Sequence, residues 1–393
     1  MRVLFTSISV PSHLLPMVPL AGALRAAGHE VLLAGAPDLV PHAEAAGLVT
    51  ARVGTEAFEA DRRRRMAQVA RQQAAAPGGT WRPTWEQLAA RWRERVDAVI
   101  DDLIALGRWW RPDLIVADPL EFGARVLGGV LDVPVVVHRF GPETLSTESA
   151  AHVREALAGV CARVDAPSGL PEPALVLDPC PPGLQFPSAS PALPVRHVPF
   201  NGSGSVPAWA REGSGGRRRV CVSLGSVPGD LGGEGLLRSL VAALSDRDGV
   251  ELLVPLDAKL RGTIDAPPDF VRVVEPAPLG LFLDTCAAVV HHGGSGTALT
   301  AIGHGLPQLV LPQFNPALSM CAERVAAVGA GVQVPAAEQG DAGAIAEGLR
   351  TVLQDPRPCE RAEALRAAMA SQPTPADLVP RLESLALTGA RAA

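Results

Sequence analysis

His291-His292-Gly293-Gly294-Ser295-Gly296-Thr297 is the stretch around which the chain is organised. The apolar run Ala287-Ala288-Val289-Val290 precedes it and reads as a short buried strand. Thr297-Ala298-Leu299-Thr300-Ala301-Ile302 follows and reads as the start of a helix. Strand, glycine-rich turn and helix is the layout that binds phosphate in open α/β sheets. The first helical N–H groups have no partner in the helix, and the dipole is positive at that end. Gly293, Gly294 and Gly296 let backbone approach an anion closely. Ser295 and Thr297 add hydroxyl donors, and His291 can donate from either ring nitrogen when protonated. Glycines at such turns also occur for tight packing alone. Two adjacent histidines at the strand's carboxyl end favour a ligand site, because ligands bind at that edge of a parallel sheet. The spacing is neither G-x-G-x-x-G nor G-x-x-x-x-G-K-[ST], so it is not a dinucleotide fingerprint or a P-loop.

Composition agrees with a soluble enzyme of two domains. At 393 residues the chain is too long for one ordinary core. Hydrophobic content of 47% with 19% charge is that of a globular protein, and a formal charge of −6 argues against nucleic acid as a main partner. The opening Met1-Arg2-Val3-Leu4-Phe5 meets Thr6 and Ser7 too early for a signal peptide, and no apolar run reaches membrane length. The six cysteines (161, 180, 221, 286, 321, 359) show no metal spacing and no paired framework, and read as packing residues. A reduced, cytoplasmic protein is expected. Lys259 is the only lysine, so arginine carries the basic chemistry.

The strand followed by H-H-G-G-S-G-T, late in a chain of this length, resembles the donor-diphosphate loop of GT-B glycosyltransferases. The resemblance is to bacterial enzymes that glycosylate polyketide and other natural products. It implies an α/β fold of two facing Rossmann-like domains with a cleft between them and a C-terminal helix crossing back. The expected division is an acceptor domain over 1–200, a linker over 201–217, a donor domain over 218–374 and the returning helix over 375–393. The run Gly202-Ser203-Gly204-Ser205-Val206-Pro207 suits the linker.

The first half reads as βα units. Residues 2–7 and 30–34 are strands flanking a helix over 14–27 that Gly28 ends, and 8–13 is a loop. S-H-x-x-P, then a helix and G-H-E-V, resembles the family's opening segment, where the histidine is the general base. A lone loop histidine is more often solvated or capping, but the position of His13 at the sheet's carboxyl edge favours catalysis. A helix over 39–46 and a strand over 48–53 come next. Asp61-Arg62-Arg63-Arg64-Arg65 is a charge run and Ala74-Ala75-Ala76-Pro77-Gly78-Gly79 a breaker, so a mobile excursion is expected before helix resumes over 85–106. Trp81, Trp85 and Trp92 line an acceptor pocket or simply pack. Residues 112–117 are a strand with Asp118 just past its end. By resemblance Asp118 pairs with the loop histidine and holds its tautomer, as a triad carboxylate does. Its plainer reading is an N-cap on the next helix, 120–130, and both can hold at once. His138 and Phe140 follow the strand over 133–137 and, with Ser12 and Trp81, are expected to line the acceptor cleft.

In the second half, Val220-Cys221-Val222-Ser223-Leu224-Gly225-Ser226 is a strand running into a small-residue turn. Ser223, Gly225 and Ser226 there suit donor phosphate. Strands over 250–254 and 271–274 follow, and by resemblance the loop after the second holds the nucleotide base, with the backbone of Ala277 reading its edge. Pro276 stands where family members often carry a tryptophan. After a strand over 307–311 come Gln313, Asn315 and Pro316-Ala317. Family members often carry Asp-Gln at that last pair, which bonds donor-sugar hydroxyls, so its loss is the sharpest departure. Elements over 325–331 and 344–353 complete the half.

The reading is an inverting, metal-independent hexosyltransferase with no cofactor. It takes a sugar, expected to be deoxygenated, from a nucleoside diphosphate donor, expected to be thymidine diphosphate, to an apolar natural-product acceptor. The protein would be a monomer or homodimer with no membrane or nucleic-acid partner. Two rivals stand: a non-catalytic sugar-nucleotide-binding helper subunit, and a sugar-nucleotide epimerase on the same fold.

Overall fold

A computed structural model describes residues 1–75, 83–166, 169–223, 233–244, 249–256, 267–312 and 316–389. The strands of the first half are β1 (Arg2–Thr6), β2 (Glu30–Gly35), β3 (Thr50–Arg52), β4 (Leu114–Ala117), β5 (Val135–His138), β6 (Leu175–Asp178) and β7 (Leu193–Pro194). They form a parallel sheet in the order β3-β2-β1-β4-β5-β6-β7. Its central strands read as continuous apolar runs because both faces are covered. Leu4, Ile115 and Ala117 pack under the helices Trp85–Trp110, Phe122–Leu131 and Ala150–Arg163. Val3, Phe5 and Val116 pack on the other face under Val18–Ala26, Val40–Ala45 and Val379–Gly389.

The second half holds β8 (Arg218–Ser223), β9 (Val250–Pro255), β10 (Val271–Val274), β11 (Ala288–His291), β12 (Gln308–Val310) and β13 (Gly331–Gln333). These are parallel in the order β10-β9-β8-β11-β12-β13. Each half is therefore a doubly wound sheet with one switch point, between β1 and β4 in one and between β8 and β11 in the other. The final helix, Val379–Gly389, lies at the chain's end yet buries Val379, Leu382 and Ala386 in the first half's core. A further apolar cluster joins Cys180 and Leu184 of the first half to Leu299, Ile302 and Cys321 of the second.

Several local expectations are corrected. The helix over 14–27 is broken into Pro11–Leu14, a tight turn at Leu15–Met17, and Val18–Ala26. Pro16 and Pro19 lack the N–H groups that would carry one continuous ladder across the break. The excursion after β3 begins as a helix, Glu56–Ala75, which contains the arginine run. Its charges pair along the helix, Arg62 with Glu59 at 2.7 Å and Arg65 with Asp61 at 3.0 Å. Pro316–Ala327, over most of which no element is expected, is a helix that Pro316-Ala317 opens. The element over 325–331 splits, because that helix stops at Ala327 and Gly331 begins β13. The helix Pro356–Ala370, capped by Asp355, and the short β7 have no counterpart in the expectations. Cys161, Cys180, Cys221, Cys286 and Cys321 are buried and Cys359 is exposed, all as free thiols.

Candidate active site

The carboxyl ends of β1 and β4 lie side by side, and each delivers one residue to the same point. Pro11 starts a single helical turn, its fixed φ suiting the first helical position, and that turn carries His13. His13 thus sits on a helical turn and not in an open loop. Its Nδ1 lies 3.1 Å from Oδ1 of Asp118, which follows β4 directly. A carboxylate that is ionised only accepts, so Nδ1 carries a proton in this bond. Burial alone would push the Asp118 carboxyl up. The His13 hydrogen bond and charge, with the amides of Ile8 and Leu120 at 2.8 and 2.9 Å, hold it below the usual range. Asp118 does not cap the next helix, which starts at Phe122 after Glu121.

Buried Arg95 fixes the segment leading to His13. Its Nη2 donates to the Ser7 carbonyl at 3.2 Å and to Glu121 Oε2 at 2.6 Å, and its Nη1 to Ser9 Oγ at 3.3 Å. Arg62, alone among the run 62–65 in being mostly buried, reaches the Ser9 carbonyl at 3.4 Å. Ser12 is exposed next to the catalytic candidate. The Phe140 ring lies on the His13 ring, centroids 3.9 Å apart at 37°. His138 does not line a cleft. Its ring is buried, Nδ1 donates to the Arg139 carbonyl at 2.7 Å, and burial pushes its pKa down. Trp85 heads its helix and Trp92 packs on Phe122 at 5.3 Å.

On the second sheet Ser223 and His291 are register partners at the ends of β8 and β11. The helix Ser295–Gly303 begins with Gly294 as its N-cap, and Gly294 has no side chain to cap with. Its first helical bond is from the Ala298 amide to the Gly294 carbonyl, 3.0 Å, so the amides of Ser295, Gly296 and Thr297 precede the ladder. Gly293 is at φ +97°, and a Cβ there would lie 2.5 Å from the Leu318 carbonyl oxygen. Gly296 lies in the helix with no unusual φ and open space beyond it, so its backbone makes no special demand for glycine while the open approach remains.

His291 is corrected as a direct donor. Its ring is fully buried, Nε2 donates to Gln308 Oε1 at 2.9 Å, and Nδ1 accepts from the Gly293 amide at 3.2 Å. Burial, with His292 beside it, pushes its pKa down to about 3, so the ring is neutral and shapes the turn from behind. His292 donates from Nδ1 to the Ser223 carbonyl at 3.3 Å, tying the two loops of the switch point together. Ala277 follows β10 and packs against the Trp209 and Phe282 cluster. Trp81, Gly225, Ser226, Gln313 and Asn315 lie outside the described residues.

The two edges face each other and touch. A Cβ built on Gly141, three residues past β5, would lie 2.4 Å from Ser295 Cβ. Arg95, Glu121, Asp178, Gln185 and Gln308 support this site and were not anticipated; Arg139, expected to line the acceptor cleft with its neighbours 138–141, is buried and pairs with Asp178. Arg95 left one trace, as an arginine among the apolar positions Ala89, Val96 and Val99 of its helix.

The erythromycin biosynthesis protein CIII-like N-terminal domain model matches residues 22–225, and the C-terminal domain model matches 238–385. An aclacinomycin-T 2-deoxy-L-fucose transferase of Streptomyces galilaeus is 33% identical, with 98% of this chain and 96% of that protein covered. A 10-deoxymethynolide desosaminyltransferase of Streptomyces venezuelae is 33% identical, with 98% and 97% covered. Among solved structures, a spinosyn rhamnosyltransferase complexed with thymidine diphosphate superposes with a TM-score of 0.84 at 38% identity, covering 98% of this chain and 100% of that one. The same enzyme complexed with spinosyn aglycone gives 0.84 at 39%, with the same coverage. With both halves matched and the two edges meeting as they do, the chain belongs to the erythromycin biosynthesis protein CIII-like family and is a GT-B antibiotic glycosyltransferase.

Proposed function

We propose that the protein transfers a deoxysugar from a thymidine diphosphate donor to a hydroxyl of an apolar polyketide-type acceptor, with inversion and without a metal ion. The observation that carries this reading is the His13–Asp118 pair on one sheet edge facing the glycine turn on the other. In this reading residues 1–200 hold the acceptor and 218–374 the donor. His13 Nε2 takes the proton from the acceptor hydroxyl, while Asp118 stabilises the imidazolium that forms. The acceptor oxygen attacks the anomeric carbon, and the bond to the diphosphate oxygen breaks in the same displacement, which inverts that centre. Charge developing on the diphosphate meets the amides of Ser295, Gly296 and Thr297 and the positive end of their helix.

The deoxysugar follows from Pro316-Ala317. A fully hydroxylated hexose there would leave hydroxyls without the usual carboxylate and amide, at about 1–3 kcal/mol for each buried one. Apolar surface suits C–H at those positions but rejects an added hydroxyl only by about 10²-fold. The names of the relatives, a 2-deoxy-L-fucose transferase and a desosaminyltransferase, support such a donor, as does the thymidine diphosphate complex. The test presents thymidine diphosphate dideoxyhexoses and uridine diphosphate glucose with 10-deoxymethynolide, aklavinone and spinosyn aglycone as probes. Thymidine diphosphate should be released only when an acceptor is present, and the product should carry the inverted linkage. A higher kcat/KM with the glucose donor would end the deoxysugar assignment. A donor sugar changed in configuration with no thymidine diphosphate released would favour the epimerase reading, and tight binding with neither change nor release the helper reading.

A further inference from the structure

Gly141 touches the second half of the molecule at the residue that opens the donor helix. A Cβ on Gly141 would lie 2.4 Å from Ser295 Cβ, 2.6 Å from Ser295 Oγ and 3.6 Å from Ser295 Cα. The first two separations are far inside van der Waals contact, so any side chain must displace one partner. The residue before it, Phe140, is the one whose ring lies on the His13 imidazole at 3.9 Å. Two consecutive residues therefore touch the proposed base and the proposed diphosphate turn.

The backbone between these contacts is held from behind and has little room to yield. Arg139 is buried, and its Nη1 donates to Asp178 Oδ2 at 2.8 Å. Its Nη2 donates to the Ser190 carbonyl and Oγ, both at 2.8 Å. Gln185 Nε2 donates to the Gly141 carbonyl at 3.3 Å and to Asp178 Oδ2 at 2.9 Å, and its Oε1 accepts from the Glu143 amide at 3.0 Å. The Arg139 amide itself donates to the Leu177 carbonyl at 2.9 Å. On the other side, Ser295 is the first residue of a helix packed among Leu299, Ile302 and Cys321.

We infer that Gly141 is a positioning residue for glycosyl transfer: it sets how closely the donor turn approaches the acceptor half and aligns that turn with the base through Phe140. The inference rests on the transferase reading above. A methyl group at position 141 would hold the edges apart on the ångström scale, and misplacement of about 1 Å can cost about 10²-fold in rate. Binding of thymidine diphosphate to the second half alone does not need that approach. Gly141→Ala should therefore lower kcat at least about tenfold while the Kd for thymidine diphosphate, read by calorimetry, changes less than about threefold. Ser295→Gly removes both clashing atoms, so in that background the same substitution should lower kcat and Tm clearly less than it does beside Ser295, leaving only the backbone cost of alanine at φ +156°.

A Gly141→Ala enzyme with full turnover overturns the inference. So do equal losses in the two backgrounds, or a Kd that rises as kcat falls. If Gly141→Ala alone does not fold, the double variant must still fold and transfer sugar, and failure there overturns it too. The Tm cycle reads the contact without any turnover. Absence of transfer by the unsubstituted enzyme would therefore strike the transferase reading, whereas absence of coupling strikes this one.

Discussion

At the scale of single residues, the two ring systems of the site are in opposite states of engagement. His13 is tied at one nitrogen only, through Asp118, whereas His291 spends both nitrogens inside the protein. Asp118→Asn should lower kcat less than loss of His13 does and leave the protein folded with a lower Tm, because its one carbonyl oxygen can accept from Ile8 or from Leu120 but not from both. An Asp118→Asn protein that unfolds but keeps its specific activity would mark the carboxylate as structural. The buried imidazoles carry a pH prediction of their own. Burial pushes His291 down to about 3 and His197, near His138, down to about 4. In the unfolded chain both titrate near about 6.5, so on acidification the unfolded state takes up protons that the native state refuses. Stability is therefore full above about 6.5 and declines as pH falls toward about 4. His197→Leu, which removes a buried Nε2 without a partner, should shallow that decline by about one proton between pH 6.5 and 4.5 in urea titrations. An unchanged slope would refute it. His13 and Asp118 were legible in the sequence because each sits just past an apolar run that marks a sheet's carboxyl edge. Gln308, Asp178 and Gln185 were not, because they meet their partners only once strand order makes β5, β6, β11 and β12 neighbours.

At the scale of elements, the glycine turn separates two kinds of glycine. Gly293 is required by the fold, through its φ of +97° and the Leu318 carbonyl 2.5 Å from where a Cβ would be. Gly296 is free of both demands, so Gly296→Val should fold normally and still lose thymidine diphosphate binding, by filling the anion's approach. Retained affinity in a calorimetric titration would put the donor elsewhere. The final helix gives a second test. Leu382 is fully buried in the first half's core, so Leu382→Ala should destabilise by about 2–5 kcal/mol. A loss under about 1 kcal/mol would mean that the helix is not integral to that core. Helix and strand periodicity revealed the central strands of both sheets with ends shifted by a few residues. It failed where charge replaced apolar spacing, as in Glu56–Ala75, whose arginines pair with acids one turn away. It failed again at Gly331–Gln333, a strand too short to show alternation.

At the scale of the molecule, two switch points face each other across the Gly141–Ser295 contact and share an apolar cluster. Interdomain surfaces that are apolar resist the loose motion expected of polar ones. In the proposed mechanism, a base on one edge paired with an anion-binding turn on the other makes a transferase of two nucleotide-binding-type halves. Chelation of divalent ions should leave turnover unchanged, and a clear loss would contradict a reaction whose charge is met by helix amides alone. The central claim divides labour between the halves, and one measurement bears on it most directly. Acceptor-dependent release of thymidine diphosphate and the Kd for thymidine diphosphate are compared between the unsubstituted enzyme and His13→Ala. The account predicts that release falls by about 10²–10⁴ while the Kd stays within about threefold. A parallel loss of both would make His13 a donor ligand and contradict the account.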